Sequence, residues 1–417
     1  MAQRTPHAPI FPEASAIPTS WLYESFRLAN EREDQAGPLI KLHVGEPAFG
    51  PPESVGRALA EAVLDGRTRY IDVQGLLELR EAISEKLATC NGIDAPPDRL
   101  FVTPGSCQGL VALLRTLAEP GAEILIPEIH WPVHLQQALL AGLRPVFYGL
   151  DDSLAPDVES VRAESGPNTR ILLLNSPSNP TGALLTREAQ TRLYELASER
   201  GWQIVSDEAY EDFAFAAEHM SIASLERGVA ASQRLVNSVF TFSKGLAMTG
   251  YRLGYVAVAR PKVCDAMRMV QESSIIAPSA PIQYAGLSAL KAQESIAGNH
   301  AFVRANRDRV LPALTEAGLL PALPGGGWYA MVDISASGMT GEEFAAELLR
   351  SEDVAVVPGG GFSARPEFGA DGTLRPLRPG GVAGGLVRIA FCADREQLAL
   401  GVERIVALVE QKRKEMH

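Results

Sequence analysis

From residue 100 onward the chain alternates short apolar runs with stretches of helical period. The runs cover 100–103, 123–126, 145–148, 171–175, 203–207, 235–241 and 254–259. Near-continuous apolar runs of this length, separated by helical segments, predict strands buried on both faces of a largely parallel sheet. Upstream, residues 51–65 and 76–90 read as helices; Leu76, Leu79, Ile83 and Leu87 recur at helical spacing. An amphipathic helix is expected near 18–32, within a Pro-rich, broken start.

The pattern changes near residue 290. A long helix is expected from Ile282 to about Glu316, broken around Gly298-Asn299. A strand at 328–334, a helix at 341–350, strands at 354–357 and 387–391, and a last helix to Lys412 follow. The chain therefore reads as α/β, with a second, smaller α+β region. Ser363–Gly385 is rich in Gly, Pro and Arg and reads as a long loop, a type that is functional or disordered as a rule.

Composition narrows the function classes. The chain has 417 residues, 46% hydrophobic and 21% charged, with a formal net charge of −12. That balance opposes non-specific binding to nucleic acid or anionic lipid. It leaves room for a phosphate-bearing ligand, which needs only a few local donors. Cys90, Cys107, Cys264 and Cys392 are scattered without paired spacing, so neither a disulfide scaffold nor a metal site is expected. No signal peptide and no apolar stretch long enough to span a bilayer is visible, which fits a soluble, cytoplasmic protein.

Candidate chemistry centres on Thr241-Phe242-Ser243-Lys244-Gly245. Lys244 lies in a Ser/Gly turn after an apolar strand, where it can form a Schiff base with a carbonyl cofactor. Most lysines are merely surface residues, but this one has context. Ser243 and Arg252 can hold a phosphate. Gly105, Ser106 and Cys107 follow a strand and open a helix expected over Gly109–Leu117, where free backbone N–H groups favour an anion. Asp207 ends a strand; it can pair with a protonated pyridine nitrogen, or serve as a turn carboxylate. Tyr210 and Asn179 can reach a phenolic oxygen on the same ring. Arg388 lies on an apolar strand, either facing solvent or clamping a substrate carboxylate.

Taken together, the motifs resemble the fold-type-I pyridoxal-phosphate enzymes, and within them the class I/II aminotransferases related to aspartate aminotransferase. The resemblance runs from Leu42-His43-Val44-Gly45-Glu46-Pro47 through Arg69–Gly75, Asn179-Pro180-Thr181-Gly182, Asp207-Glu208-Ala209-Tyr210 and the Lys244 motif to Val387-Arg388-Ile389. It implies a large domain with a mainly parallel seven-stranded sheet and a small domain built from both chain ends. Residues 1–50 would form an N-terminal arm and part of the small domain, 51–295 the large cofactor-binding domain, and 296–417 the small C-terminal domain.

By that resemblance Lys244 carries pyridoxal 5'-phosphate and shuttles the substrate proton, and Asp207 pairs with the ring nitrogen. Asn179 and Tyr210 bind the ring oxygen. Gly105, Ser106, the Cys107 backbone, Ser243 and Arg252 hold the phosphate, and Trp131 stacks on the ring. Tyr70 reaches the phosphate across a homodimer interface. Gly45, Asn179 and Arg388 bind substrate, with Arg388 on the α-carboxylate. The separation of Phe362 from Arg388 exceeds the family's usual spacing, so this placement requires Ser363–Gly385 to loop out.

The resulting expectation is amino-group transfer between an L-amino acid and a 2-oxo acid. A β- or γ-eliminating lyase on the same scaffold is the alternative. A ligand-sensing aminotransferase-like domain is a third reading, but the Pro-broken first fifty residues are too short for the DNA-binding segment such regulators carry. The segment Ala14-Ser15-Ala16-Ile17-Pro18, expected to close over the substrate, offers an apolar Ile17, and Ile275-Ile276-Ala277-Pro278 is uncharged. A neutral donor side chain is therefore expected, unless Arg365, Arg375 or Arg378 brings a cation into the pocket.

Overall fold

The computed structural model describes residues 17, 20–369, 374 and 381–416. Strand β1 (Ile40–Lys41) belongs to the smaller part of the molecule. The next seven strands form one sheet: β2 (Leu100–Thr103), β3 (Glu123–Pro127), β4 (Arg144–Tyr148), β5 (Thr169–Asn175), β6 (Gln203–Asp207), β7 (Val236–Thr241) and β8 (Gly254–Ala257). Their order is β2-β8-β7-β6-β5-β3-β4. Every neighbouring pair is parallel except those of β8, which runs against both β2 and β7. The link from β7 to β8 holds only a short 3₁₀ turn, Thr249–Tyr251. With no crossover helix, the chain returns antiparallel. Lys244 lies in that link.

The strands are buried on both faces, as their apolar runs predict. Leu172 and Leu174 join Leu79, Ile83 and Phe240 on one side, while Ile171 and Leu173 join Leu110, Ile124 and Val239 on the other. This alternation is the two-residue period of a strand between two helical layers.

The remaining strands are β9 (Tyr329–Asp333), β10 (Val354–Ala355), β11 (Val357–Pro358) and β12 (Leu386–Ala390). β11, β12 and β9 form an antiparallel sheet, and β1 pairs in parallel with β10 through Ile40 and Val354. Ile40 and Leu42 share a core with Trp328, Ile389 and the last helix, Arg395–Glu415. Residues 40–42 and the last helix thus pack together.

Several boundaries differ from the sequence reading. The expected long helix is three: Ala280–Ala289, Gln293–Val310 and Pro312–Glu316. The break falls at 290–292, and Gly298 lies inside the middle helix with open space beside it. A lone glycine costs about 1 kcal/mol against alanine, which tertiary packing overrides. Asn299 holds this helix to the Lys244 loop through Nδ2–H donated to the Gly245 carbonyl at 2.9 Å. The 76–90 helix covers Leu77–Lys86 and then widens into a π turn, Leu87–Asn91. The 354–357 strand is two pieces in different sheets. The first helix is Trp21–Ala36, capped by Ser20. Residues 370–373 and 375–380, within the long loop, lie outside the described residues, and with them Arg375 and Arg378. Among the described residues, no helix is long and apolar enough to cross a membrane.

Candidate active site

β5 and β6 end side by side, with Asn175 opposite Asp207. Past their carboxyl ends opens a cavity of about 600 Å³. This is where ligands bind in open parallel α/β sheets. Gly45, Ser106, Trp131, Asn179, Asp207, Tyr210, Lys244 and Arg388 all line it. Asp207 ends β6, Ser106 opens a helix and Trp131 precedes one; Gly45, Asn179, Tyr210 and Lys244 come from loops, and Arg388 comes from the middle of β12 in the smaller sheet.

Asp207 is only 4% exposed. Its Oδ1 accepts from the Ala209 backbone N–H at 3.2 Å, so the turn use is real. Its Oδ2 lies 2.8 Å from His134 Nε2. A carboxylate accepting from Nε2–H fixes the imidazole tautomer and leaves Nδ1 bare; that atom is buried and without a partner. The His134 ring in turn meets Trp131 edge to face at 5.1 Å. The Asp207–His134 pair was not anticipated from sequence. Its only local sign was Trp131-Pro132 at the start of a helix, Pro132–Leu140, that carries the histidine.

Lys244 Nζ lies 5.0 Å from the centre of the Trp328 ring and 5.4 Å from that of Tyr210. Its surroundings are aromatic, and among the described residues no carboxylate pairs with it. Gly245 lies so close to Asp212 that an added Cβ would sit 1.9 Å from Oδ2, so any larger residue after the lysine would have to displace the Asp212 carboxylate. Tyr210 donates to the Tyr329 hydroxyl at 3.3 Å. Burial, then the neighbouring Tyr329, holds the Tyr210 phenol well above its ordinary range. Gly45 is needed for a similar reason: a Cβ there would strike the Tyr329 hydroxyl at 1.9 Å.

Arg388, on β12, is 2% exposed, so the solvent-facing reading fails. Its Nη1 donates to Asn179 Oδ1 at 3.0 Å and its Nη2 to the His43 carbonyl at 2.7 Å. Nε has no partner, and among the described residues no carboxylate pairs with the guanidinium. The ring of Tyr329 packs against it at 4.1 Å. Burial pulls its pKa down. A buried, unpaired cation is costly unless a ligand supplies the counter-charge.

The helix after β2 begins at Gly105, not Gly109, so Ser106 and Cys107 occupy its first turn. Pro104 supplies no side-chain cap, which leaves the first amides open to an anion. Gly105 has φ +74°, and a Cβ there would lie 2.5 Å from Arg252 Nη2. Arg252 Nη1 also donates to Ser243 Oγ at 3.4 Å. The Cys107 carbonyl and thiol both accept from Gln137 Nε2 on the helix Pro132–Leu140, and burial pushes the thiol pKa up.

Of the expected residues, Gly105, Cys107, Ser243 and Arg252 are not in the cavity lining but lie next to Ser106 or Lys244 in the chain or contact those neighbours, whereas Tyr70 and Ile17 lie away from it. Tyr70 is 87% exposed on the outside of the chain. Ile17 is half-buried elsewhere; Ser20, Leu22, Tyr23 and Phe26 form the wall expected of the N-terminal segment. Ala14, Ser15, Ala16 and Pro18 lie outside the described residues. Arg365 pairs with Glu128 at 3.3 Å and lies over Phe147, outside the cavity lining.

The donor set suits a phosphorylated pyridine aldehyde. Open helix amides beside Ser106, Ser243 and Arg252 match its phosphate, a histidine-backed carboxylate its ring nitrogen, and an acid-free lysine its carbonyl carbon. The unpaired Arg388 matches the carboxylate of an amino acid.

The family model for aminotransferase class I and II matches residues 37–405. The chain is 34% identical to the aspartate/prephenate aminotransferase of Thermus thermophilus, covering 91% of this chain and 94% of that one. It is 32% identical to aromatic-amino-acid aminotransferase 2 of Thermococcus litoralis, over 90% and 92% of the two chains. The structure of Thermus thermophilus aspartate aminotransferase with maleate superposes with a TM-score of 0.84 at 32% identity, over 94% and 98% of the chains. The lyase alternative finds no support among these relatives. The chain belongs to the class I and II aminotransferases, pyridoxal-phosphate-dependent enzymes that pass an amino group between an amino acid and a 2-oxo acid.

Proposed function

We propose that this aminotransferase takes an amino donor with a neutral side chain. The observation that carries the reading is the cavity wall: among the described lining residues, the only Lys or Arg side chains are Lys244 and Arg388. Both have work at the reacting end of the substrate, so a second carboxylate would enter a desolvated wall without a counter-charge. The named relatives include enzymes for acidic and for aromatic substrates, so the wall, not the family, favours this choice. A half-reaction screen following cofactor absorbance against a panel of amino acids tests it. Aspartate reacting far faster than neutral donors would overturn it.

Bound pyridoxal phosphate supplies an electron sink for the pair left when the substrate Cα loses its proton. Arg388 orients the donor by gripping its α-carboxylate with N–H groups not used by Asn179 and His43. Lys244 Nζ would hold the cofactor in the resting enzyme and, once the substrate amine has displaced it, would be the free amine that takes and returns the substrate proton. Asp207, kept in place by His134 and the Ala209 amide, stabilises a protonated ring nitrogen. Asn179 would donate to the ring oxygen, and Tyr210 would do so on turning its hydroxyl proton away from Tyr329. The Gly105–Cys107 amides, Ser106, Ser243 and Arg252 take the phosphate, and Trp131 covers the ring.

The working unit in this proposal is a homodimer. Tyr70 lies in a stretch whose large apolar side chains, Val63, Leu64 and Leu77, are also exposed, which favours a covered face. Tyr70 would then complete the phosphate site of a second copy. A cytoplasmic setting agrees with four free cysteines, of which Cys90 is exposed.

A further inference from the structure

Lys244 belongs to the link between β7 and β8, and Arg388 to β12 of the smaller sheet, yet one helix touches the chain beside each of them. That helix is Gln293–Val310. Within it, Asn299 donates Nδ2–H to the Gly245 carbonyl at 2.9 Å. Two turns on, the buried Asn306 donates Nδ2–H to the carbonyls of Phe391 at 2.9 Å and Ala393 at 2.8 Å. Phe391 directly follows β12. Seven residues bring a helix back to within about 20° of the same face, about 10 Å further along its axis. The two asparagines therefore form one row, which sets the spacing between the segment after the lysine and the segment after the arginine.

The Gly245 carbonyl needs such a partner. The Lys244 carbonyl accepts from the Ala247 N–H at 3.1 Å, which closes a turn over Lys244–Ala247. The carbonyl of the second residue in such a turn points out of it and finds no donor there. Gly245 is buried, so that oxygen has to be met from elsewhere. Asn299 meets it, and the Asp212 carboxylate packs against the same glycine. The peptide after Lys244 is thus held from outside its own turn. His300 and Arg304 anchor the same helix differently: His300 Nε2 lies 3.1 Å from the Ala214 carbonyl, and Arg304 Nη2–H donates to that of Phe215 at 3.0 Å. Those bonds tie the helix to the segment after Tyr210 rather than to the lysine turn.

We propose that Asn299 is a positioning residue for proton transfer: from the helix that also fixes the chain after Arg388, it holds the peptide after Lys244, and so sets Nζ where a substrate gripped by Arg388 presents its Cα. This rests on the roles given above to Lys244 and Arg388 and adds the residue that keeps the two in register. Proton transfer is sensitive to small displacements, and a shift of about 1 Å can cost about a hundredfold in rate. Removing the Asn299 bond frees the lysine turn but leaves the phosphate donors and the Arg388 grip in place. The loss should therefore fall on kcat and spare KM.

The test uses the amino donor that wild type turns over fastest, so it does not depend on the neutral-donor reading. Asn299→Asp keeps the side chain's shape and loses the N–H, Asn299→Ala loses both, and Asn299→Gln keeps an N–H on a longer arm. His300→Ala loosens the helix away from Gly245. Asn299→Ala and Asn299→Asp should lower kcat by about tenfold or more with KM within about twofold, and Asn299→Gln should recover part of the rate. In cofactor-free protein, hydrogen exchange of the peptide covering 242–252 should speed up by about tenfold in Asn299→Ala and Asn299→Asp and stay near wild type in His300→Ala. A kcat within about twofold of wild type in both Asn299→Ala and Asn299→Asp, or equal losses of rate and protection in His300→Ala, overturns the assignment. Lys244→Ala, measured alongside, separates the failures. If it is inactive while the Asn299 variants are unimpaired, only the role of Asn299 falls, whereas an active Lys244→Ala removes the role on which it rests.

Discussion

The side chains of Asn179 and Arg388, 209 positions apart in sequence, share a hydrogen bond of 3.0 Å. It joins the turn after β5 to strand β12 and sets the guanidinium at the cavity wall. Nη1 and Nη2 each spend one N–H on the protein, and Nε–H has no partner. Enough donors remain for a carboxylate.

Arg388→Lys keeps the charge and loses the fork. We expect kcat/KM to fall roughly thirtyfold, about 2 kcal/mol, for amino acid and 2-oxo acid alike, since both carry the same carboxylate. Steady-state kinetics in both directions read this. An effect confined to one direction would show that Arg388 contacts something other than the shared group.

Lys244→Ala should lower transamination at least about a thousandfold, because the proton carrier and the covalent tether go together. After borohydride reduction, wild-type protein should carry the pyridoxyl mass on the peptide containing Lys244. Finding it on another lysine would sink the role given to this one.

Asp207→Asn can still accept from the Ala209 amide through its one carbonyl oxygen, and its Nδ2–H can donate to His134 Nε2 once the ring proton moves to Nδ1, so the fold should persist. Proton removal from substrate should slow by at least about a hundredfold, near 3 kcal/mol. Single-turnover absorbance measures that step directly. Near-native rates would reduce Asp207 to a turn carboxylate.

Sedimentation should give a dimer at micromolar concentration. Tyr70→Phe should stay dimeric yet bind the cofactor about tenfold more weakly, through loss of one hydrogen bond to a charged group. A fully active monomer would contradict the shared site.

His130 is buried, and burial, followed by the neighbouring His134, lowers its pKa to about 3. Its unfolded value is near 6.5. Between these limits the unfolded chain binds the proton and the folded chain does not, so stability rises with pH there. The contribution is full above pH 6.5 and is lost as pH falls toward 3, by up to about 5 kcal/mol. Denaturant midpoints for wild type and His130→Phe, taken from pH 7 to pH 4, should converge as the pH falls. Parallel curves would refute this linkage.

Much of the site was legible because its parts are local. A strand that ends in Asp207, a glycine after Lys244 and an uncapped helix after Pro104 are each written in a few adjacent residues. Backbone geometry at a strand's end determines them with little help from the rest of the chain. The alternation of apolar runs likewise determined a double-faced parallel sheet. Strand order and the meeting of helices did not follow from any local period. His134 reaches Asp207 across 73 positions, and Tyr329 reaches Tyr210 across 119. Those contacts exist only because the fold brings the helix Pro132–Leu140 to the end of β6 and β9 to the turn that follows it. Burial of Arg388 and His43 was also decided by tertiary structure. A strand pattern shows which residues share a face, but whether that face meets water, a second sheet or a cavity depends on what packs against it.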